Sequence, residues 1–462
     1  MTLLNAEEFY NLLNTSNKIK DRIINFQAID LKHFKSVIFI NCTITGNFKI
    51  YNSSISPSLT NIDKSVSFKD CTFNNCNFKN CDSGEITIQN SSFINDFSIS
   101  SSTILSLEIN NCTDINSKFK FSFSKFKNSF LFSNNTFKET GKLFVFSNEF
   151  SGRTSFISNT INNLNFSINT FSSFSEFTDN KLNNLCKFES CNFKKLEFAI
   201  SDISLLNFTF CTFLDTSLFS DLRKKDQSKL EFLRCDFNGS TSFDNSKIGT
   251  LDINRCNLEK SASFFNAEFD IIKLFEVKFG GGAYFDEMKI NKVIDKSYLK
   301  DKSKILEWKT TLRAIKQESQ KVENRIDFNN YRNYELAAHY EELSFSKNFK
   351  DTSILWATKW SSNFGNWTWA LCFTLIIGLA FFSSFYILEN SNKTINLHNW
   401  PDFIYGYFRF FLITDFKNEY YESGESILKF NCFISLFPFI IGKIAVAFGL
   451  YEMIQSFRKF KA

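Results

Sequence analysis

The chain has 462 residues, 43% apolar and 22% charged, enough for more than one domain with a hydrophobic core. Only 15 Gly and 3 Pro exclude a collagen-like or proline-rich disordered chain, and three histidines (His33, His339, His398) leave little for a histidine metal site or catalytic triad. The net charge is +5, with residues 1–295 balanced at 32 basic and 32 acidic side chains, so no nucleic-acid partner and no DNA-mimicking surface is expected.

The first expected element is a helix over residues 5–14. Asn5 is followed three positions later by Glu8, the pattern of a capped helix start, and Phe9, Leu12 and Leu13 are placed to cover whatever follows. Residues 1–34 are assigned to this cap and a first coil. The start of the chain has neither the basic residues nor the apolar run of a secretory signal.

Residues 35–295 carry a repeat: apolar, any, apolar, any, any, small, any, apolar. It reads Val37-Phe39-Cys42-Ile44, Phe48-Ile50-Ser53-Ile55, Val66-Phe68-Cys71-Phe73 and Ile86-Ile88-Ser91-Phe93. After a less regular stretch it resumes at Leu164-Phe166-Asn169-Phe171 and runs through Cys186, Leu206, Leu230 and Leu251 to Ile272-Leu274-Val277-Phe279. Apolar-x-apolar is a short strand with two side chains on one face, and the small residue suits a corner. Coils of about 20–21 residues bury nothing alone, so stacking is required, with Phe on Phe and Cys on Cys. The fold class expected is mainly β, a right-handed parallel β-helix, with about a dozen coils ~55–60 Å long at ordinary strand spacing. The 61 Phe residues then become ladders, and ten of the twelve Cys become small, reduced, buried thiols. Arg223-Lys-Lys-Asp-Gln227 reads as a loop inserted in one coil.

From about Tyr298 the periodicity turns helical. Ile305, Trp308, Leu312, Ile315, Ser319, Val322 and Ile326 form a heptad seam, which either packs on the last coils or self-associates, and a second amphipathic segment covers Tyr331–Leu343. This neck is assigned to 296–365 and a membrane domain to 366–462. Trp367–Leu388 has no charge, and Cys432–Tyr451 is apolar apart from Lys443, so two transmembrane helices are expected. Lys347, Lys350 and Lys359 before the pair, with Arg458, Lys459 and Lys461 after it, place both termini and the β-helix in the cytoplasm. The segment 400–416, Trp400-Pro to Phe416, is too short to span and too apolar for a plain loop. It can dip into the bilayer as a re-entrant helix or lie flat at its surface.

The small-x-aromatic step of five in Cys71-x-Phe73 and Cys76-x-Phe78 resembles the pentapeptide-repeat family, whose coils are four-sided. Together with Trp308–Lys316, Tyr334–Glu342, Ser362-Asn-Phe-Gly365 and Tyr451–Lys459, the arrangement resembles bacterial inner-membrane proteins that join such a solenoid to a two-span, ion-channel-like C-terminus. The resemblance implies a homo-oligomer, tetrameric by analogy. A Thr-Val-Gly-Tyr-Gly filter is absent, Leu412-Ile-Thr-Asp415 standing in its place, so potassium selectivity is not implied. Lys443 in mid-span is expected to face a cavity or a partner rather than lipid. Arg409, Thr414, Asp415 and Lys443 are the candidate pore residues. No enzyme activity, metal or cofactor is expected: Gly280-Gly-Gly-Ala283 lacks the Lys and the strand-to-helix setting of a phosphate loop. Two readings stand, an oligomeric pore coupled to a cytoplasmic rod that senses a protein or ligand, and a membrane-anchored scaffold without conductance.

Overall fold

A computed structural model describes residues 1–31, 34, 36–49, 65–292, 302–389, 400–414 and 433–458. It divides into two units, Met1–Asp295 and Lys296–Ala462. The part of the repeat motif at Ile50–Ile55, the start of the neck at Tyr298, Asp415, and the basic Lys459 and Lys461 lie outside the described residues.

The first unit is a parallel β-solenoid of about 13 turns spaced by about 21 residues. Strands of successive coils pair in register: Phe208 with Phe232, Phe232 with Ile253, and Ile253 with Leu274, all buried. One aromatic column runs Phe166, Phe188, Phe208, Phe232 with ring centroids 4.9, 4.7 and 5.1 Å apart and planes within 14°. Phe243, Phe264 and Phe285 make another, at 5.0 and 4.9 Å. These separations match the strand spacing, so ring stacking and backbone pairing impose one repeat distance on the core.

The corners explain the small residue of the repeat. From Asn80 to Glu287 a non-glycine residue with positive φ occurs at least every 13 residues, in most coils twice, and Asn, Asp and Ser, which tolerate this conformation, hold many of these places. The next residue turns inward and serves two backbone groups. Asn135, Asn159, Asn180 and Ser201 accept through their side-chain oxygens from the N–H of Cys112, Asn135, Asn159 and Asn180, each at 3.0 Å. The Asn135, Asn159 and Asn180 amides donate back to the carbonyls of Ile109, Phe132 and Phe156 at 2.8–2.9 Å. Cysteine does the same work at the other corner: the Cys235 N–H donates to Cys256 Sγ, and the Cys256 thiol donates to Phe232 O. Cys211, Cys235 and Cys256 form the second ladder, and all ten repeat cysteines are free and buried. Burial pushes the Cys76, Cys112 and Cys186 thiols up to about 12.

The less regular stretch between Phe93 and Leu164 is continuous solenoid, with Ile104, Leu107, Ile109, Phe126, Phe130, Phe132, Phe150 and Phe156 buried. One expectation changes. Arg223–Leu233 is one strand, not a strand and a loop: Ile203 pairs with Lys224 and Leu205 with Lys229, so the extra residues form a bulge. At the start, helix α1 (Ala6–Ser16) has the expected capping box, Glu8 N donating to Asn5 Oδ1 at 2.9 Å and Asn5 N to Glu8 Oε2 at 3.3 Å. Phe9 and Leu13 are fully buried, and Phe9 stacks over Phe39 at 6.4 Å, covering the end of the stack that continues from Phe39 to Phe68.

The second unit is helical. Helices α2 (Lys302–Lys321) and α3 (Arg325–Glu342) pack together. The predicted seam is buried from Ile305 to Ser319 and stops there: Val322 lies in the turn, and Ile326 sits on α3, 53% exposed. Asn324 breaks the seam by capping α3, its Oδ1 accepting from Asp327 N. Lys309 pairs with Glu342, and Arg313 and Lys316 converge on Glu335. Helix α4 (Phe349–Ser362) ends in three successive positive-φ residues, Asn363, Phe364 and Gly365, and α5 (Trp367–Glu389) follows. Gly365 is required here: its φ is +104°, and a Cβ would meet the Asn333 side chain at 2.7 Å. Helices α6 (Trp400–Phe410) and α7 (Leu436–Arg458) complete the unit.

Candidate functional site between two apolar helices

Helix α5 and the segment Phe433–Phe457 are long and apolar enough to cross a membrane. They form an antiparallel pair whose contacts keep a steady register. Trp367 stacks on Phe457 at 5.6 Å, Gly449 faces Thr374, Val446 faces Gly378, Gly442 faces Phe381, and Phe439 meets Phe385 at 5.1 Å. Advances of seven, four, three and four along α5 are matched by retreats of eight, three, four and three along α7. Glycine sets the closeness, since a Cβ on Gly442 would stand 2.5 Å from Phe381 Cβ.

Both ends of the pair are fastened by a serine–glutamate hydrogen bond. Ser435 Oγ donates to Glu389 Oε2 at 2.6 Å, and Ser362 Oγ to Glu452 Oε2 at 2.8 Å. None of these four residues has this role in the sequence reading; Ser362 and Glu452 enter it only within Ser362-Asn-Phe-Gly365 and Tyr451–Lys459, and Glu389 and Ser435 not at all. A lone carboxylate near each end of an apolar run is the signal that could have found them, because a carboxylate there needs a donor.

Helix α6 lies against this pair. Phe403 meets the rings of Phe382 and Tyr386 at 5.2 and 5.3 Å, beside the last turns of α5. One turn on, the Tyr407 hydroxyl donates to Leu375 O at 2.8 Å, and the Phe411 ring lies against Gly378, the midpoint of α5. The short helix therefore starts level with one end of α5 and finishes level with its middle. Its last turn closes by bonds from Phe411 N to Phe408 O and from Leu412 N to Arg409 O.

Lys443 meets that end. Its Nζ donates to Leu412 O at 2.7 Å and lies 5.1 and 5.5 Å from the Phe410 and Phe439 ring centres, with the residue 4% exposed. A helix C-terminus carries unpaired carbonyls and partial negative charge, so an ammonium there supplies both a donor and a compensating charge. Arg409 is half-buried on the last turn of α6, and Thr414 is exposed just beyond it. The structure thus brings Lys443 to the end of the helix that carries Arg409, with Thr414 two residues past the carbonyl it holds; Asp415 lies outside the described residues. Among the described residues no group of three or more His, Cys, Asp or Glu is placed to hold a metal ion.

The fold and this arrangement define a β-solenoid protein with two membrane-capable helices and a shorter helix packed on them to mid-length. Comparison with known proteins finds no matching family model, no matching curated protein and no matching solved structure.

Proposed function

We propose that the chain is an integral membrane protein in which a cytoplasmic β-solenoid is joined to a two-span module that assembles into a homo-oligomeric, ion-conducting pore. The observation that carries this reading is α6: a half-length helix that ends level with the middle of α5 and is met there by Lys443. In hydrocarbon the carbonyls at such an end lack partners, and a buried ammonium answers that need. A re-entrant helix of this kind serves little purpose in a plain anchor, and it offers an oligomer a polar turn at mid-depth.

Two spans cannot enclose a path, so the reading requires several copies, four by the resemblance in layout. Lys443 acts as a positioning residue for α6, while Arg409 and Thr414 belong to the turn that faces the oligomer axis. The solenoid binds a cytoplasmic protein or ligand and conveys its state through the neck. No catalysis and no cofactor enter this reading. The basic residues before α5 orient both termini towards the cytoplasm, in a bacterial inner membrane by the resemblance.

The test is the mass of the protein in lipid nanodiscs, followed by planar-bilayer recording. The reading expects an oligomer that conducts, with Arg409→Glu shifting the reversal potential towards cations. A chain that stays monomeric in lipid overturns it. On intact cells, a membrane-impermeant thiol reagent should label an engineered cysteine at Glu422 and spare one at Lys461; the opposite pattern inverts the topology.

A further inference from the structure

Helix α4 has two unlike sides. Thr352, Ser361 and Ser362 are buried, and Lys359 lies 4.3 Å from the Tyr340 ring centre while pairing with Glu341 of α3. The other side holds Phe349, Trp356 and Trp360, exposed by 69, 47 and 57%. Steps of seven and four put these three within about 40° of one another around a helix. Ser353 lies beside them, and exposed Lys347 and Lys350 stand near the start of the helix, with Asp351 the exposed carboxylate of its first turn; Ile354, also exposed, points to another side.

An exposed Trp-Trp-Phe face on a surface helix calls for a covering, and its position decides which. The indole Nε1 of Trp369, in the first turn of α5, donates to Trp360 O at 2.9 Å, fastening the end of α4 to the start of a membrane-capable helix. Trp367 and Trp369 are themselves exposed there. Tryptophan concentrates where a bilayer meets water, its ring among acyl chains and its N–H towards the headgroups, and lysines beside it meet lipid phosphates.

We infer that α4 is a membrane-interface helix whose Phe349–Trp356–Trp360 face binds the headgroup–acyl boundary of the bilayer, with Lys347 and Lys350 at the phosphates. The inference rests on the membrane reading above. It places α4 between lipid on one side and α3, α5 and α7 on the other, so the neck reaches the spans through a helix that the membrane surface holds.

The test uses the full chain in nanodiscs of mixed zwitterionic and anionic lipid, with Cys372→Ser and Cys432→Ser, and a nitroxide on Ser353→Cys or, in a second sample, on Ile376→Cys. Collision rates with oxygen and with a water-soluble nickel chelate report depth. The label at 353 should collide with the chelate several-fold less often than a nitroxide in water, and more often than the label at 376. Trp356→Gln with Trp360→Gln should move it towards the aqueous value. A water-like label at 353 beside a lipid-immersed label at 376 overturns this inference alone. Low rates with both reagents, with spin–spin broadening between copies, show a protein partner and overturn it too. A water-like label at 376 removes the membrane reading and this inference together.

Discussion

Each of the corner side chains Asn135, Asn159 and Asn180 satisfies an N–H on one coil and a carbonyl on another, so its loss leaves two buried groups without partners. Asn159→Leu removes the acceptor for Asn135 N and the donor for Phe132 O. An unpaired buried group costs about 1–3 kcal/mol, so Asn159→Leu should lower the Tm clearly. Asn159→Ser should lose much less, because Ser201 already fills the same ladder with a hydroxyl. Thermal melts followed by circular dichroism decide this, and equal losses for the two variants would refute the two-bond account. The same chemistry sets what could be read from the sequence. Small residues at the corner were visible where they are Cys or Ser, and at Asn169. Asn135 and Asn159 were not picked out as corner residues, and with coil steps of 23 and 24 residues around them, that stretch looked irregular although its core is continuous.

Among the elements, the α2–α3 pair has a charge pattern with a definite pH response. Partial burial alone would raise Glu335, but the bonds from Lys316 and Arg313 outweigh it and hold the carboxyl below its ordinary value. Glu342 is lowered chiefly by the bond from Lys309, against some desolvation and with help from His339. Both folded values lie below the unfolded value of roughly 4.3. Their contribution is therefore complete above that pH and is lost as pH falls through the folded values. Acid titration of the full chain should loosen the neck below about pH 4.3, and Glu335→Gln should flatten that part of the curve. A neck that loosens instead on raising the pH would contradict the sign. For the apolar pair, Gly449→Leu should push α7 away from Thr374 and lower stability in detergent, whereas Gly282→Ala, where a Cβ meets nothing within 4 Å but φ is +87°, should show only local backbone strain. Both long apolar helices could be read from hydropathy. The depth of α6 could not, because it depends on which α5 residues face Tyr407 and Phe411, and no local pattern encodes that.

At the scale of the whole molecule, the solenoid is a stack in which each coil touches only its neighbours, so its stability should grow by nearly equal increments. Asp236 and Asn257 pair in register, as do Phe237 and Leu258, which makes Asp236–Cys256 a removable unit of 21 residues. Deleting it should leave a folded chain with unchanged strand signature and a modestly lower Tm; a chain that collapses into aggregates would show that the coils are not equivalent. The ends are different. Removing α1 uncovers Phe39 and the first strand edges, and no neighbouring coil replaces it. The corner ladder carries this further. Because Cys, Ser and Asn meet the same pair of backbone groups, a coil can be duplicated or dropped during descent without any matching change in the coils beside it. Solenoid length is thus free to drift between lineages while the end covered by α1 stays fixed, and a lineage exposed to oxidants could exchange its thiols for amides one coil at a time and keep the same fold.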